Sequence, residues 1–209
     1  VSLYSVLLSG YYLMLRTYSH QDDIVIGSPI ANRHYSQIEN LIGFFVNTLA
    51  LRVKIDSKIT VREFIQKIGR EIVEAQLHQD LPFEKLVEEL RGEKDLSRHP
   101  IFQVMFSVQS FGRNLPKQLH TQANEGQSNL LKTYIPEVNI YNVAKFDLST
   151  YIDDSQEYLQ GSFNYAVSLY SEETISRFIE TYSEILRQLA ALAGNNKKQE
   201  ETRIESLSY

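Results

Sequence analysis

The 209-residue sequence has no cysteine and no tryptophan, only two methionines and only five prolines. Without cysteine there is no disulfide framework, no thiolate metal site and no thiol nucleophile. Long apolar runs are missing too. The most apolar stretch, residues 1–15, is shorter than the ~20 residues a membrane span needs, and Ser2, Ser5, Ser9 and Gly10 interrupt it. It also lacks the basic flank of a secretory signal. Positive charge is not in excess: 21 Lys and Arg face 26 Asp and Glu, a net −5, which argues against a nucleic-acid surface. The five histidines, at 20, 34, 78, 99 and 120, include no i+3 or i+4 pair of the kind that grips a metal from one helix face. Gly27-Ser28-Pro29 is not the Gly-x-Ser-x-Gly of a nucleophile elbow, and no glycine-rich phosphate loop occurs. No nucleic acid, membrane or metal partner is expected, and a cytoplasmic setting fits the cysteine count.

What remains is ordinary globular composition, 43% hydrophobic and 22% charged, in a chain long enough to bury a core without staples. Leu3, Leu7, Leu8, Tyr11, Tyr12 and Leu15 recur at helical spacing, so residues 2–18 read as a buried helix. Residues 23–27 read as a short strand that stops at Gly27-Ser28-Pro29, because proline supplies no ladder N–H. Leu49, Leu51, Val53 and Ile55 alternate with Thr48, Arg52 and Lys54, the pattern of a half-buried strand. Thr60-Val61-Arg62-Glu63 is a capping box, ahead of an apolar stripe at Val61, Phe64, Ile65, Ile68 and Ile72. Asp80 reads as the cap of a shorter helix with Pro82 in its first turn and Phe83, Leu86, Val87 and Leu90 facing inward.

Residues 102–109 read as a strand buried through Phe102, Val104, Phe106 and Val108. Residues 110–145 hold no period, as expected of a long functional or mobile loop. Two antiparallel strands, 146–152 and 158–166, flank a turn in which Asp153-Asp154 reads as solvated turn residues rather than a metal pair. A last helix starts at Ser171, buries Ile175, Phe178, Ile179, Tyr182, Ile185, Leu186 and Leu189, and stops at Gly194. A polar linker follows. About five strands and four helices without strict alternation give an α/β fold, a layered mixed β-sheet flanked by helices.

Four segments, in order, resemble the motifs of condensation domains from nonribosomal peptide synthetases. Asp23-Ile24-Val25-Ile26-Gly27-Ser28-Pro29-Ile30-Ala31-Asn32-Arg33 is similar to that family's fourth motif, and Ile42-Gly43-Phe44-Phe45-Val46-Asn47-Thr48-Leu49 to its fifth. His78-Gln79-Asp80-Leu81-Pro82-Phe83-Glu84-Lys85-Leu86-Val87 matches the sixth, and Arg98-His99-Pro100-Ile101-Phe102-Gln103-Val104-Met105-Phe106 the seventh. Lys145-Phe146-Asp147-Leu148 fits the closing region. The resemblance implies one lobe, the C-terminal one, of a two-lobed chloramphenicol-acetyltransferase-like fold with a tunnel between the lobes. Residues 1–193 would form this lobe and 194–209 a linker toward a following adenylation domain, so the chain reads as a piece of something longer.

The family signature His-His-x-x-x-Asp-Gly is absent, since no two histidines are adjacent. The resemblance therefore implies no catalytic residue in this chain, which is expected to be inactive alone. It implies partners instead: the N-terminal lobe, peptidyl carrier proteins and the adenylation domain. It implies no directly bound cofactor, only 4'-phosphopantetheine on the carriers. Arg33 would reach across the cleft to the signature aspartate, with an exposed surface arginine as the plainer alternative. Asn47 would support the site, offering donor and acceptor to a pantetheine amide or bonding its own backbone. Phe44 and Phe45 are candidates for the tunnel wall, with the core as the plainer reading. Gln103, Met105, Ser107 and Gln109 are further wall candidates on the second face of their strand, and His78 and His99 are expected to be structural. The expected reaction is amide formation between carrier-tethered thioesters. The same lobe of an epimerisation or heterocyclisation domain, and a non-catalytic carrier-docking module, are the alternatives.

Overall fold

The computed structural model describes residues 1–33, 35–90, 98–109, 143–155, 158–194 and 196–209; expectations for 110–142 lie outside them. Helix α1 (Leu3–Ser19) starts at Ser2, whose hydroxyl accepts the Ser5 N–H while Ser5 returns the bond. Strand β1 (Asp23–Ile30) and a single short turn of helix, α2 (Ser36–Glu39), lead to β2 (Asn47–Lys54). The Thr60–Glu63 capping box is formed as expected and opens α3 (Val61–Leu77). Helix α4 (Phe83–Leu90), strands β3 (Val104–Gln109), β4 (Leu148–Asp153) and β5 (Gln160–Tyr165), and helices α5 (Glu172–Ala193) and α6 (Asn196–Glu201) complete the order. The five strands form one mixed sheet, β2-β1-β3-β4-β5.

Register explains which face is buried. Ile24, Ile26 and Ser28 oppose Val53, Leu51 and Leu49 across β1–β2, and Val104, Phe106 and Val108 pair with Leu148, Thr150 and Ile152. These residues share one face, over which α1, α3 and α5 pack their stripes to make the core. Tyr12 donates to the Leu51 carbonyl at 2.7 Å, Tyr182 to Leu7 at 3.0 Å, and Thr150 to the Tyr11 hydroxyl at 3.0 Å. Each phenol or hydroxyl buried with those rings thus keeps a partner. Burial holds the phenols of Tyr12 and Tyr182 well above their ordinary pKa.

Several local expectations are corrected. Strand β1 does not end at Gly27 but runs through Pro29 to Ile30. The Ile55 N–H bonds the Asp22 carbonyl at 2.7 Å, and ladder bonds alternate from there. Pro29, opposite Thr48, therefore falls where β2 asks for no N–H, while on the other edge the pairing with β3 is recorded at Gly27↔Met105 and does not extend to Pro29. Phe102 is buried but stands outside β3: its ring packs onto Gly27, on the sheet face opposite Phe106. The chain is irregular at residues 102 and 103, ahead of β3, which lets Phe102 face the other way. Helix α4 has no fully buried residue, and Leu90 is 61% exposed. Asp153 takes the turn role, accepting the Ser155 N–H at 2.8 Å, whereas Asp154 is only 5% exposed rather than solvated.

The C-terminal stretch packs onto the lobe. After α6 it runs beside the start of α3: Val61 N–H bonds Thr202, Ile204 N–H bonds Ile59, and Glu205 N–H bonds Ser57. Arg203 bridges Thr60, and Ile204 is buried in the core. Polarity on the outside of this strap concealed one anchoring isoleucine.

Candidate functional site

The four motif segments meet on the face of the sheet opposite the helical core. Gly27 is the point of closest approach. A side chain there would sit 2.2 Å from a ring carbon of Phe102, so only glycine lets that ring lie on the sheet. Phe102 in turn contacts His99, Phe83 and Phe146, with centroids at 4.5, 5.3 and 5.5 Å, and His99 stacks on Phe83 at 5.4 Å. His99 Nδ1 lies 2.9 Å from the Pro100 carbonyl and 3.1 Å from that of Phe102. Two acceptors call for the proton on Nδ1, so this ring nitrogen is engaged with backbone. His78, also expected to be structural, caps the C-terminus of α3 through its backbone.

Asn47 ties the second and third segments together. Its Nδ2 donates to the carbonyls of Gln79 and Leu81 at 2.7 and 2.8 Å. Its Oδ1 accepts from the N–H groups of Thr48 and Phe83 at 2.9 and 3.2 Å. Both donors and both lone pairs are used, leaving no capacity for a pantetheine amide. Asn47 supports the site by capping α4 from another strand, a role no local pattern in the sequence displays.

Arg33 lies in the loop after β1. Its guanidinium donates to the carbonyls of Ile38 (2.7 Å), Glu39 (3.2 Å), Leu41 (2.6 Å) and Gly43 (3.3 Å), and lies 4.4 Å from the Phe45 ring centroid. In this chain it gathers its own loop instead of projecting from it. A planar five-donor fork suits that work, which lysine could not do. Phe45 is half-buried beneath it, whereas Phe44 is 93% exposed, which overturns a core placement for Phe44.

Phe44, Phe45, Asn47, Phe83 and His99 line one open cleft of about 370 Å3. Asn32 lines it as well. Sequence reasoning missed Asn32, which adopts φ of 52° and holds a buried Oδ1 without a partner. The available signal was asparagine's tolerance of left-handed backbone. The β3 candidates are not part of this wall. Met105 and Ser107 are each 7% exposed, on a strand paired along both edges. Gln103 turns back to donate to the His99 carbonyl at 3.1 Å, and Gln109 is half-buried at the far end. Among the described residues, no group of three acidic or histidine side chains could hold a metal, and no helix is long and apolar enough to cross a membrane.

Comparison with known proteins bears on the family and the fold. A family model described as "Condensation domain" matches residues 1–206. The chain is 41% identical over 193 residues to N-(5-amino-5-carboxypentanoyl)-L-cysteinyl-D-valine synthase of Amycolatopsis lactamdurans, covering 92% of this chain and 5% of that protein. It is 36% identical over 190 residues to surfactin synthase subunit 1 of Bacillus subtilis, covering 91% of this chain and 5% of that one. The chain thus spans about a twentieth of the length of these relatives. In three dimensions it is similar to the four-domain nonribosomal peptide synthetase holo-AB3403 (TM-score 0.74, 24% identity, 91% of this chain and 15% of that one). It is also similar to the condensation domain of the monacolin K polyketide synthase MokA (TM-score 0.70, 19% identity, 96% and 42%).

Proposed function

Because the chain belongs to the condensation-domain family, we propose that it is the C-terminal lobe of a domain that forms amide bonds between carrier-tethered thioesters in nonribosomal peptide synthesis. The observation that carries this reading is the convergence of all four motif segments on one cleft through Gly27, Asn47, Phe83, His99 and Phe102. In the reaction, the acceptor amine forms the new N–C bond at the donor carbonyl, the C–S bond breaks, and the proton lost by nitrogen ends on the released thiol. Aminolysis of a thioester is downhill, so holding two tethered reactants in line can supply much of the rate. A closed chamber also keeps water off the thioester.

This lobe contributes one wall. Phe44 and Phe45 present an aromatic lip, and Arg33 holds the loop that carries them. A strut between lobes, through a charge-assisted pair with an aspartate, would require Arg33 to release carbonyls of its own loop when the N-terminal lobe docks. Proton transfer belongs to the other lobe. The carriers bring their substrates on phosphopantetheine arms, and a cleft of this volume is within the range of small-molecule sites. The strap that ends at Tyr209 would lead to an adenylation domain.

The test is dipeptide formation between loaded carriers. This polypeptide alone should give no product, and product should appear when the N-terminal lobe is added. Turnover by this chain unaided, or no amide from the complete domain, overturns the proposal. A racemised or cyclised product identifies an epimerisation or heterocyclisation domain instead, and carrier binding without product a docking module.

A further inference from the structure

Among the described residues, β2 and β5 are the outer strands of the sheet. Strand β2 ends in Arg-Val-Lys, and Arg52 and Lys54 are charges of the kind that keep an open edge from pairing. Strand β5 has no such guard. Its sequence, Gln-Gly-Ser-Phe-Asn-Tyr, holds no charge and no proline, and it pairs with β4 residue for residue without a bulge. We propose that β5 pairs antiparallel with β5 of a second copy of this chain, joining two lobes through one continuous sheet.

Backbone parity sets the register. The Ala166 N–H bonds the Asp147 carbonyl at 3.0 Å, and along an antiparallel ladder such bonds fall on alternate residues. Gln160, Ser162 and Asn164 therefore turn their backbone groups to β4, while Gly161, Phe163 and Tyr165 turn theirs outward. A two-fold axis at Phe163 places it against its partner's Phe163, and Gly161 against its partner's Tyr165. Each outward N–H then meets an outward carbonyl. This is the self-complementary contact that two-fold symmetry demands.

The side chains fit the same register. With the axis perpendicular to the sheet, each face continues into the like face of the other copy. On the core side, Leu159, 47% exposed, comes toward its partner's Val167, 84% exposed. Gly161 comes to lie across from a tyrosine, an arrangement in which the ring covers the glycine. Ile179 of α5 borders this edge, sharing one apolar recess with Leu159, Gly161 and Phe163. These residues supply the apolar flank without which a bare strand pair is marginal. On the other face, exposed Ser162 stands against its partner's Asn164, so no like charges meet.

Sedimentation velocity of the 209-residue chain over a dilution series tests the pairing. A monomer–dimer equilibrium is expected. Ser162→Lys with Asn164→Lys puts two like-charged pairs into each dimer and should weaken association by about tenfold. Ser162→Lys with Asn164→Glu makes those pairs opposite in sign and should dimerise at least as well as the parent. A second measurement uses the absence of cysteine. Positions 162 and 164 of the two copies form a non-hydrogen-bonded pair with Cβ atoms ~4.5–5.5 Å apart, close to disulfide reach, whereas 162 to 162 is a diagonal of ~7–8 Å. Oxidising a mixture of Ser162→Cys and Asn164→Cys proteins should give several-fold more linked dimer than either protein alone. A monomer at every concentration overturns the proposal, as does a dimer indifferent to the two lysines or equal linkage by a single cysteine variant.

Discussion

Gly27→Ala tests the closest contact in the site. The added methyl would lie 2.2, 2.3 and 2.7 Å from three ring carbons of Phe102, where carbon atoms prefer about 3.5–4.0 Å. Phe102 has nowhere to go: it is 1% exposed and enclosed by Phe83, His99 and Phe146. Overpacking of this kind costs about 1–3 kcal/mol. Against it stands the usual gain of ~0.5–1 kcal/mol when a strand glycine becomes alanine and the unfolded chain loses freedom. The clash wins, and the net loss should be about 1–2 kcal/mol. For a chain of this size that is a fall in Tm of roughly 3–6 °C, measurable with a urea titration in parallel. Phe102→Leu in the Gly27→Ala background should recover part of the loss, since the two changes act on one contact and are not additive. A Gly27→Ala protein as stable as the parent, or more stable, would refute the reasoning and return the glycine to an ordinary strand position.

Asn47→Ala leaves two carbonyls and two N–H groups without their partner, so a loss of about 2 kcal/mol is expected in urea melts; Asn47→Asp should keep the Phe83 cap but set a carboxylate oxygen against the Gln79 and Leu81 carbonyls, and lose at least as much. Ile204→Ala should cost about 2–4 kcal/mol by opening a core cavity, whereas the exposed Glu201→Ala should be near neutral by the same thermal melt. Thr60→Ala removes a capping bond and should cost about 1 kcal/mol. The backbone and hydroxyl of Thr60 also hold the Glu63 carboxyl below its usual pKa. A depressed folded-state value means that the stabilisation is present above the unfolded pKa and is lost as pH falls through the folded one. Glu63→Gln should therefore flatten the acid side of a stability–pH profile while leaving its alkaline side unchanged.

Much of the fold was legible along the chain because it depends on short-range physics. Helix starts at Ser2, Thr60 and Ser171 follow from side chains bonding N–H groups three residues on. The alternation at Leu49, Leu51, Val53 and Ile55 and the stripe from Val61 to Ile72 needed only the periods of strand and helix. The four motif segments were recognisable as strings of residues. Tertiary structure decided what those residues do. Pro29 fits inside β1 because its parity in the ladder with β2 turns its nitrogen to the β3 edge, where pairing has already ended. Phe102 crosses to the other face because Gly27, 75 positions away in the chain, leaves room for its ring. Asn47 spends three of its four hydrogen-bonding positions on backbone from another segment, and Arg33 turns inward onto the carbonyls of its own loop. Hydrogen-bond partners and ring contacts are matters of distance in space, and only the folded chain sets those distances.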